Sequence, residues 1–413
     1  MDEHISLAVI GAGNRGNLFA DIVSRVPQWA RVVAVAEPRK EYREAFAGRY
    51  GVAKENACGD WRELAARPRF CDAVVVSTLD REHVEPAVAF TSLGYHMLLE
   101  KPMATTLEDC RRIARAQEKA GTITCVCHSL RYNKGFAELK RVVQSGEIGR
   151  VVTIDQLEQV IWWHQAHSFV RGNWGNEGRS TFMLLSKSCH DIDFIAHLVE
   201  GECQRVQSFG SLAYFTLENA PVGSGELCTA CAAEPGCPYS AVKLYVDADR
   251  EAWPAAVIAA KHSRDAHLAA IRNGPYGRCV WKCDNDVVDH QVVSMEFDAG
   301  VTATFTMTGF TQSGGRRIRV HGTKGEVEFT EEKMLIRTFA DSAVKEVVFD
   351  QEEGDHGGGD ARVMVSFLAA IREKDPSLVL TDVHESLRTH SIVFAAEKSR
   401  RQGRMVEMEE MET

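Results

Sequence analysis

Three glycines near the start of the chain have a spacing that suits phosphate binding. The run Gly11-Ala-Gly-Asn-Arg-Gly16 directly follows the apolar residues 5–10 and opens a segment with helical periodicity. Glycines at these positions allow a tight turn and a close approach of the backbone, while the N-terminus of the following helix attracts phosphate charge. The pattern predicts a dinucleotide site that includes Gly11, Gly13, Asn14, Arg15 and Gly16.

An acidic residue lies where such a site needs one. Glu37 ends the second apolar run, about 20 residues after the last glycine of the motif. A carboxylate at this position accepts hydrogen bonds from ribose hydroxyls and repels a 2′-phosphate, which favours NAD over NADP. Arg39 and Lys40 follow at once and could restore phosphate binding.

Several cysteines have the spacing of metal ligands. Cys228-x-x-Cys231-x5-Cys237 is followed by Cys279 and Cys283 in a later segment. Thiolates from two loops suit a tetrahedral structural zinc, with the fourth ligand open between Cys279 and Cys283. An iron–sulfur cluster and unliganded thiols are the alternatives.

A third group combines aromatic and polar side chains. Aromatic faces stack on sugar rings, and Arg, Asn and His supply hydrogen bonds to hydroxyl groups. The segments 162–168 and 171–174 therefore suggest a substrate loop, although an aromatic corner of the core has the same composition. The candidate substrate residues are Trp163, His164, His167, Arg171 and Trp174, with Tyr132, His128 and His356-Gly-Gly-Gly-Asp360 as weaker candidates.

The elements that must position these residues change character along the chain. Up to about residue 128, short apolar runs alternate with helix-length amphipathic segments, which favours a parallel sheet with helices on both faces. After residue 128, the sequence predicts a helix near 133–145, a strand over 151–160, a buried helix over 182–199, alternating strands between 291 and 338, and two C-terminal helices. The sequence predicts an α/β protein with a dinucleotide-binding domain over 1–128 and an α+β domain over 129–413 built on a large, open, mostly antiparallel sheet.

Composition and charge narrow the class of protein. The 413 residues carry 48 basic and 58 acidic side chains, a net charge of −10, which disfavours nucleic acid as a partner. No apolar run is long enough for a bilayer, and no signal peptide is recognisable, so we expect no membrane contact. Twelve cysteines without an export signal favour a reducing compartment, and we expect a soluble cytoplasmic protein.

More specific motifs carry a family resemblance. The segments 72–78, 94–102 (Gly-Tyr-His-Met-Leu-Leu-Glu-Lys-Pro), 145–149, 190–193 and 322–326, with His83, resemble the glucose–fructose oxidoreductase/inositol dehydrogenase (Gfo/Idh/MocA) family. The resemblance implies a Rossmann domain, a C-terminal domain whose open sheet forms dimer or tetramer contacts, and hydride transfer between a sugar or cyclitol carbinol and NAD. The core family does not require the cysteine-containing segment around 218–290.

The resemblance also implies roles for individual residues. Lys101 matches the active-site lysine of the family, and His190 matches its catalytic histidine. Thr78, His83 and Glu100 join Lys101 in the expected cofactor-binding set. Many members carry an aspartate four residues before the histidine, where this chain has Ser186. Part of the acid–base relay could pass to the adjacent Lys187, a further substrate candidate, or to a histidine elsewhere.

Two other functions fit the same motifs. Some relatives oxidise a sugar carbon transiently, cleave a glycosidic bond and reduce the product again with the same NAD. A non-catalytic NAD-binding regulatory protein is the other alternative, against which the presence of both Lys101 and His190 counts.

Overall fold

Two β-sheets and their covering helices make up the computed structural model, which describes residues 4–342, 344–350 and 355–412. The strands are β1 Ile5–Ile10, β2 Ala30–Ala36, β3 Ala57–Cys58, β4 Ala73–Val76, β5 His96–Leu99, β6 Thr124–Val126, β7 Val151–Ile161, β8 Cys203–Ser211, β9 His290–Phe297, β10 Thr302–Thr311, β11 Gly315–Gly322, β12 Gly325–Thr330, β13 Lys333–Thr338, β14 Val344–Val348 and β15 Val406–Glu407. The helices are α1 Asn14–Ser24, α2 Lys40–Tyr50, α3 Trp61–Ala65, α4 Val84–Ser92, α5 Leu107–Ala120, α6 Lys134–Ser145, α7 Trp162–Ala166, α8 Met183–Ser186, α9 Cys189–Val199, α10 Arg264–Asn273, α11 Gly359–Glu373 and α12 Val383–Gln402.

The first sheet is parallel and has the strand order β3-β2-β1-β4-β5-β6. Its strands are short apolar runs, and β4 is buried along its whole length because helices cover both faces. The strand order reverses between β1 and β4, and ligands of such sheets bind outside the carboxyl ends of the strands at this point. The loops after β1, β2, β4 and β5 contain Gly11, Glu37, Thr78 and Lys101, so the predicted Rossmann fold is confirmed.

The second sheet has nine strands in the order β14-β13-β12-β11-β7-β10-β9-β8-β15. Among the described strands of this sheet, only β7 and β10 pair in parallel, which confirms the predicted open, mostly antiparallel sheet. Buried and exposed residues alternate along β9, β10 and β11, because α6, α9 and α12 cover one face only. The expected subunit contact through the other face stays a prediction.

The helix predicted over 182–199 is interrupted. Helix α8 ends at Ser186 and α9 begins at Cys189, with Lys187 and Ser188 between them. At this interruption, the backbone carbonyl of Ser186 accepts a hydrogen bond from Lys101, which follows β5 of the first sheet. Apolar periodicity continues through the break, so the pattern alone predicted a single helix.

The last long helices return to the first sheet. Val363, Met364 and Phe367 of α11 are buried in the same apolar cluster as Leu7 and Val9 of β1. The start of α11 lies beside the glycine turn, where Asp360 accepts hydrogen bonds from Arg15, although the two are far apart in sequence. The predicted domain limits, 1–128 and 129–413, stay predictions. Within the described residues, no helix has the length and apolar character needed to cross a membrane.

Candidate active site

The glycine turn after β1 fits a pyrophosphate. Gly11 has φ +94°, and a Cβ on it would lie 2.6 Å from the carbonyl oxygen of Ser77, so only glycine is accommodated. A Cβ on Gly16 would lie 2.0 Å from the carbonyl oxygen of Gly11, which keeps α1 close to the turn. A Cβ on Gly13 would meet only the Arg39 guanidinium, at 3.9 Å, so this part of the backbone is open to a ligand.

The N-terminus of α1 has the features of an anion-binding site. Gly13 precedes the helix and offers no capping side chain, and the first turn, which begins at Asn14, contains no acidic residue. The Asn17 amide instead donates to the carbonyl oxygens of Ala12 and Gly13, at 2.9 Å each. The first backbone N–H groups and the positive end of the helix dipole are therefore available to phosphate oxygens.

Glu37 lies directly under this turn. Its buried carboxylate accepts hydrogen bonds from the Ala12 backbone N–H at 2.9 Å and from the Arg39 Nε at 2.7 Å. Burial raises the pKa of Glu37, but the hydrogen bonds from Arg39 and Ala12 outweigh it and hold the pKa below its ordinary value. Arg39 also stacks over the Tyr42 ring at 3.9 Å. The guanidinium that could receive a 2′-phosphate is thus paired with Glu37.

Thr78 and His83, expected in the cofactor set, hydrogen-bond within the protein. The Thr78 hydroxyl donates to the carbonyl oxygen of Glu82 at 3.1 Å. The buried His83 places Nδ1 2.8 Å from the carbonyl oxygen of Pro102 and Nε2 3.3 Å from that of Thr78. His83 therefore joins the loop after β4 to the turn that contains Lys101.

Arg15 and Glu100, also expected in the cofactor set, belong to a buried ion cluster. Arg15 donates from Nε to Glu100 at 2.5 Å and from Nη1 and Nη2 to Asp360 of α11 at 2.9 and 2.8 Å. Glu100 accepts a further hydrogen bond from the Lys101 backbone N–H at 3.0 Å. The cluster fixes the glycine turn, the Lys101 turn and the start of α11 relative to one another.

The Lys101 side chain reaches into the second domain. Its Nζ donates to the carbonyl oxygen of Ser186 at 2.6 Å, at the break between α8 and α9. The Ser186 hydroxyl points back into its own helix, where it donates to the carbonyl oxygen of Met183 at 3.3 Å. A backbone carbonyl thus contacts the ammonium, and its charge is free to stabilise a developing alkoxide.

Replacing Ser186 by alanine should therefore change turnover little. We expect on the order of a two- to three-fold change in kcat at most, because the hydroxyl contributes one intrahelical hydrogen bond while the carbonyl that contacts Lys101 remains. Steady-state kinetics of the variant and the parent enzyme measure the effect. A loss as large as that of a Lys101 variant would show that the hydroxyl acts in the reaction.

His190 is the second residue of α9 and is buried. Among the described residues, neither of its ring nitrogens has a hydrogen-bond partner. Its ring centroid lies 5.6 Å from that of His128 and 5.4 Å from that of His356. Burial lowers the pKa of His190 well below its ordinary value, and the charge of Lys101 lowers it further. The site thus contains a neutral imidazole near an ammonium, a pair that can handle a hydroxyl proton.

Asp193, one turn after His190, forms a buried ion pair. It accepts from Arg131 Nε at 2.7 Å, from Arg131 Nη2 at 2.8 Å and from the Thr389 hydroxyl at 3.0 Å. Burial raises the pKa of Asp193, but the charge of Arg131 outweighs it and lowers the pKa to about 2. Asp193 thus joins α9 to α12 and holds the segment that carries His190.

Two residues of the predicted substrate loop, Trp163 and His164, belong to an aromatic cluster with Trp253. The ring of His164 lies 4.8 Å from that of Trp253, and Trp163 lies 5.2 Å from the same indole. Burial lowers the pKa of His164 well below its ordinary value, and the charges of Lys187 and Lys101 add to this. The segment between β8 and β9 thus contributes Trp253 to the aromatic cluster of Trp163 and His164, a neighbour that sequence reasoning did not identify.

His167 and Arg171 pack against the segment between β8 and β9. His167 Nδ1 lies 3.1 Å from the Tyr245 hydroxyl, and its ring stacks on Tyr276 at 4.8 Å. The fully buried Arg171 donates to the carbonyl oxygens of Tyr239 at 2.6 Å and Arg278 at 2.8 Å. Both side chains thus connect the loop to this segment.

Trp174 and Tyr132, also expected at the substrate, have protein partners. The Trp174 indole N–H donates to Asp80 at 3.0 Å. The Tyr132 hydroxyl is buried, accepts from the Leu380 backbone N–H at 2.9 Å and lies 3.2 Å from the Thr381 hydroxyl. The structure does not bring Tyr132 together with Lys101 and His190.

Lys187 is also engaged in the protein. Its Nζ lies 2.7 Å from Glu158 of β7, and Arg316 of β11 bridges Glu158 at 3.1 Å and Asp191 at 2.7 Å. Burial raises the pKa of Glu158, but Arg316 and Lys187 outweigh it and lower the pKa. The charge of Lys187 is therefore balanced, and Lys101 remains the cation directed at the candidate site.

The cysteines of the segment between β8 and β9 surround a cavity. Cys228, Cys231, Cys237 and Cys279 line about 190 Å³, while the Cys283 thiol donates to the carbonyl oxygen of Cys279 at 3.3 Å. In the part of the chain that the structure describes, no three or more His, Cys, Asp or Glu side chains are arranged to hold a metal ion. The predicted zinc site is therefore not supported.

Two family models match most of the chain. One, described as an oxidoreductase family with an NAD-binding Rossmann fold, matches residues 5–128. The other, described as the C-terminal α/β domain of an oxidoreductase family, matches residues 140–408. The boundary between the two matches lies near the start of α6.

Individual relatives are more distant. YteT of Bacillus subtilis, named as an oxidoreductase, is 24% identical over 349 residues, which cover 79% of this chain and 76% of the relative. An inositol 2-dehydrogenase of Klebsiella pneumoniae is 30% identical over 205 residues, and the match covers 49% of this chain and 57% of the relative. The chain thus spans little more than half of that inositol dehydrogenase.

Solved structures share the fold over the whole chain. A levoglucosan dehydrogenase in complex with NADH and levoglucosan superposes with a TM-score of 0.73 at 18% identity, covering 98% of this chain and 99% of that one. A Desulfitobacterium hafniense protein named as an NADPH-dependent oxidoreductase gives a TM-score of 0.71 at 19% identity, covering 100% and 99%. Because both cofactors occur in these names, the preference of this chain has to be argued from its own residues.

Proposed function

Because the chain belongs to the Gfo/Idh/MocA oxidoreductase family, we propose that it transfers a hydride between a hydroxyl-bearing carbon of a sugar or cyclitol and NAD. The observation that carries this proposal is that Lys101, in the turn after β5, contacts the carbonyl of Ser186, four residues before the neutral His190, whose ring nitrogens have no partner among the described residues. Gly11, Gly13, the N-terminus of α1 and Glu37 would hold the dinucleotide.

Each residue has a distinct task in this proposal. NAD, when bound, accepts the hydride from the carbinol carbon. The Lys101 ammonium donates a hydrogen bond to the reacting hydroxyl oxygen and stabilises the negative charge that develops there. A ring nitrogen of His190 accepts the hydroxyl proton, since the imidazole is neutral and has a free lone pair. Glu100, fixed by Arg15, keeps the Lys101 turn in position.

The walls of the site favour a neutral polyol as substrate. Trp163, His164 and Trp253 provide aromatic faces and a ring nitrogen on one side. Among the described residues Lys187 is paired with Glu158, so its charge is not free to select a strongly acidic substrate. Aromatic stacking with a few hydrogen bonds suits a sugar or cyclitol ring.

The direct test is a substrate panel with NAD. Myo-inositol, scyllo-inositol, levoglucosan and D-glucose are incubated with the protein and NAD, and NADH absorbance is recorded. We expect at least one polyol to produce NADH in proportion to its oxidation. If none of them does so and none changes the affinity for NADH, polyol dehydrogenation is excluded for this panel.

A redox-neutral reaction is the second candidate, because Ser186 replaces the carboxylate that many relatives carry. His164 and His190 could then supply acid and base for cleavage of a glycoside through a transient keto-sugar. Aryl glycosides distinguish the two reactions, since cleavage releases the phenol without accumulation of NADH. Release of the phenol that needs NAD but leaves no NADH would favour this alternative.

Glu37 should make the enzyme prefer NAD over NADP. We expect NAD to bind at least about ten-fold more tightly, equivalent to roughly 1.4 kcal/mol, because the ionised carboxylate repels a 2′-phosphate and Arg39 is paired with it. Glu37→Ala should reduce the difference in affinity between NAD and NADP, because it weakens NAD binding and frees Arg39 to bind the 2′-phosphate of NADP. Calorimetric titrations with both dinucleotides measure the ratio, with Glu41→Ala, an exposed acid on α2, as the control. Equal affinities in the parent protein would contradict the proposed preference.

A further inference from the structure

A second histidine lies beside His190. His356 precedes α11, and its ring centroid is 5.4 Å from that of His190. Its Nδ1 lies 2.9 Å from a carboxylate oxygen of Asp360. The His356 side chain is 31% exposed, whereas His190 is only 3% exposed. His356 therefore lies between a buried histidine and solvent.

The carboxylate behind His356 is fixed and ionised. Asp360 accepts two hydrogen bonds from Arg15, at 2.8 and 2.9 Å, and another from the Ser129 hydroxyl. Burial raises the pKa of Asp360, but Arg15 and His356 outweigh it and place the pKa below its ordinary value. Because an ionised carboxylate only accepts hydrogen bonds, Nδ1 of His356 must carry a proton. Nε2 of the neutral ring is then the acceptor.

The backbone holds His356 in an unusual conformation. Its φ is +51°, a value that residues other than glycine adopt rarely, and Gly357 and Gly358 follow at +56° and +75°. The carbonyl oxygens of His356 and Gly357 accept hydrogen bonds from the Asn133 amide, at 2.9 and 3.2 Å. Such strain persists where the surroundings enforce it, and it is typical of functional positions.

We propose that His356, oriented by Asp360, relays the substrate proton between His190 and solvent. The inference rests on the proposed function, because it concerns the fate of the hydroxyl proton after His190 has accepted it. His190 needs such a partner, since it is buried, its ring nitrogens are unpaired and Ser186 provides no carboxylate. His356 neighbours His190, is hydrogen-bonded to the carboxylate of Asp360 and is itself partly exposed to solvent.

The proton balance of the relay is simple. During oxidation, the hydroxyl proton moves to a ring nitrogen of His190, which then carries a positive charge. His190 passes a proton to Nε2 of His356 through a bridging water, since the two rings form no direct hydrogen bond among the described residues. His356 then releases a proton to solvent, while its Nδ1–H remains hydrogen-bonded to Asp360. Reduction runs the same transfers backwards. The titratable groups that face His356 include Asp360 on α11, His190 on α9 and Glu158 on β7, with Arg15 behind Asp360.

The first test needs no substrate. Nitrogen-15 NMR of histidine-labelled protein distinguishes the two neutral tautomers of an imidazole, and His356→Gln assigns the signal. We expect His356 to be the Nδ1–H tautomer in the parent protein. Finding the Nε2–H tautomer overturns the relay whatever the enzyme acts on, because Nε2 could not then accept a proton from His190.

The second test measures turnover of the polyol that the parent enzyme oxidises best. His356→Ala and His356→Gln should both lower kcat on the order of 10- to 100-fold with little change in NAD affinity. The glutamine keeps an N–H donor toward Asp360 but cannot carry a proton. Added imidazole should restore the rate of the alanine variant in proportion to its concentration, and substituted imidazoles should act according to their basicity.

His384→Ala provides the matched control, because His384 is an exposed histidine at the start of α12 that contacts Gln117. Its rate should stay at the parent level and should not respond to imidazole. A glutamine variant with normal kcat, or an alanine variant that imidazole does not rescue, overturns the relay. Failure of the proposed function would give a different result, because the parent enzyme itself would then form no NADH with any polyol. The tautomer measurement would still test whether His356 is oriented by Asp360.

Discussion

Replacing Lys101 by alanine should lower kcat by at least about two orders of magnitude while NAD still binds. The ammonium contacts a neutral carbonyl, that of Ser186, at 2.6 Å, and it approaches the site from the carboxyl end of β5. Removing a donor directed at the developing alkoxide typically costs ~10²–10³-fold in turnover, because the lost stabilisation exists mainly in the transition state. Steady-state kinetics with the best polyol and a separate NAD titration measure the two effects.

The variant should remain folded, since the side chain contributes one hydrogen bond, worth about 1 kcal/mol. Lys101→Met tests the charge with less loss of volume and should behave like the alanine variant. Lys119→Ala, an exposed lysine at the end of α5, is the control and should keep its full activity. A Lys101 variant with kcat within a few-fold of the parent value would place the electrostatic partner of the alkoxide elsewhere.

Removing His190 should have a similarly large effect and should also change the pH profile. His190→Ala is expected to lower kcat by roughly 10²-fold or more, as for loss of a general base. Burial and the charge of Lys101 hold the pKa of His190 well below the ordinary 6.5. Its neutral form therefore persists as the pH falls below 6.5, and the oxidation rate of the parent enzyme should decline only at lower pH. The variant should lose this acidic limb.

The measurement is kcat/KM as a function of pH for the parent, His190→Ala and His384→Ala. His384→Ala should reproduce the parent profile. If His190→Ala keeps near-normal turnover and an unchanged acidic limb, another group accepts the proton. His164 would then be the next residue to test, because Lys187 is paired with Glu158 and His167 with Tyr245.

Much of the cofactor domain could be predicted from the sequence because its signals are local. The turn from Gly11 to Gly16 and Glu37 follow β1 and β2 directly, and a parallel sheet places the ends of its strands at one edge. The run that became β4 is apolar throughout, and those that became β1 and β5 contain one polar residue each, so burial on both faces was readable. β3 and α3 were missed, since elements of 2 and 5 residues are too short to show a period.

The motif residues of the second domain were also identified, but their partners were not. His190 and Lys101 were found through a family resemblance, which says nothing about the carbonyl of Ser186. Asp193 belongs to the motif at 190–193, yet its partner Arg131 lies 62 residues away in the chain. Nothing local in a sequence connects residues at such a separation.

Only the tertiary structure decided which candidates share the site. Composition made Arg171 and His164 substrate candidates and Tyr132 a weaker one, yet folding fixes Arg171 and Tyr132 in hydrogen bonds to backbone groups and places His164 in an aromatic cluster with Trp253. Trp253 and His356 reach the site from a long insertion and from the loop before α11. The sequence determines which side chains can carry out the chemistry. Packing decides which of them are adjacent and unpaired, because a polar group that enters the core must find partners and is then no longer available to a ligand.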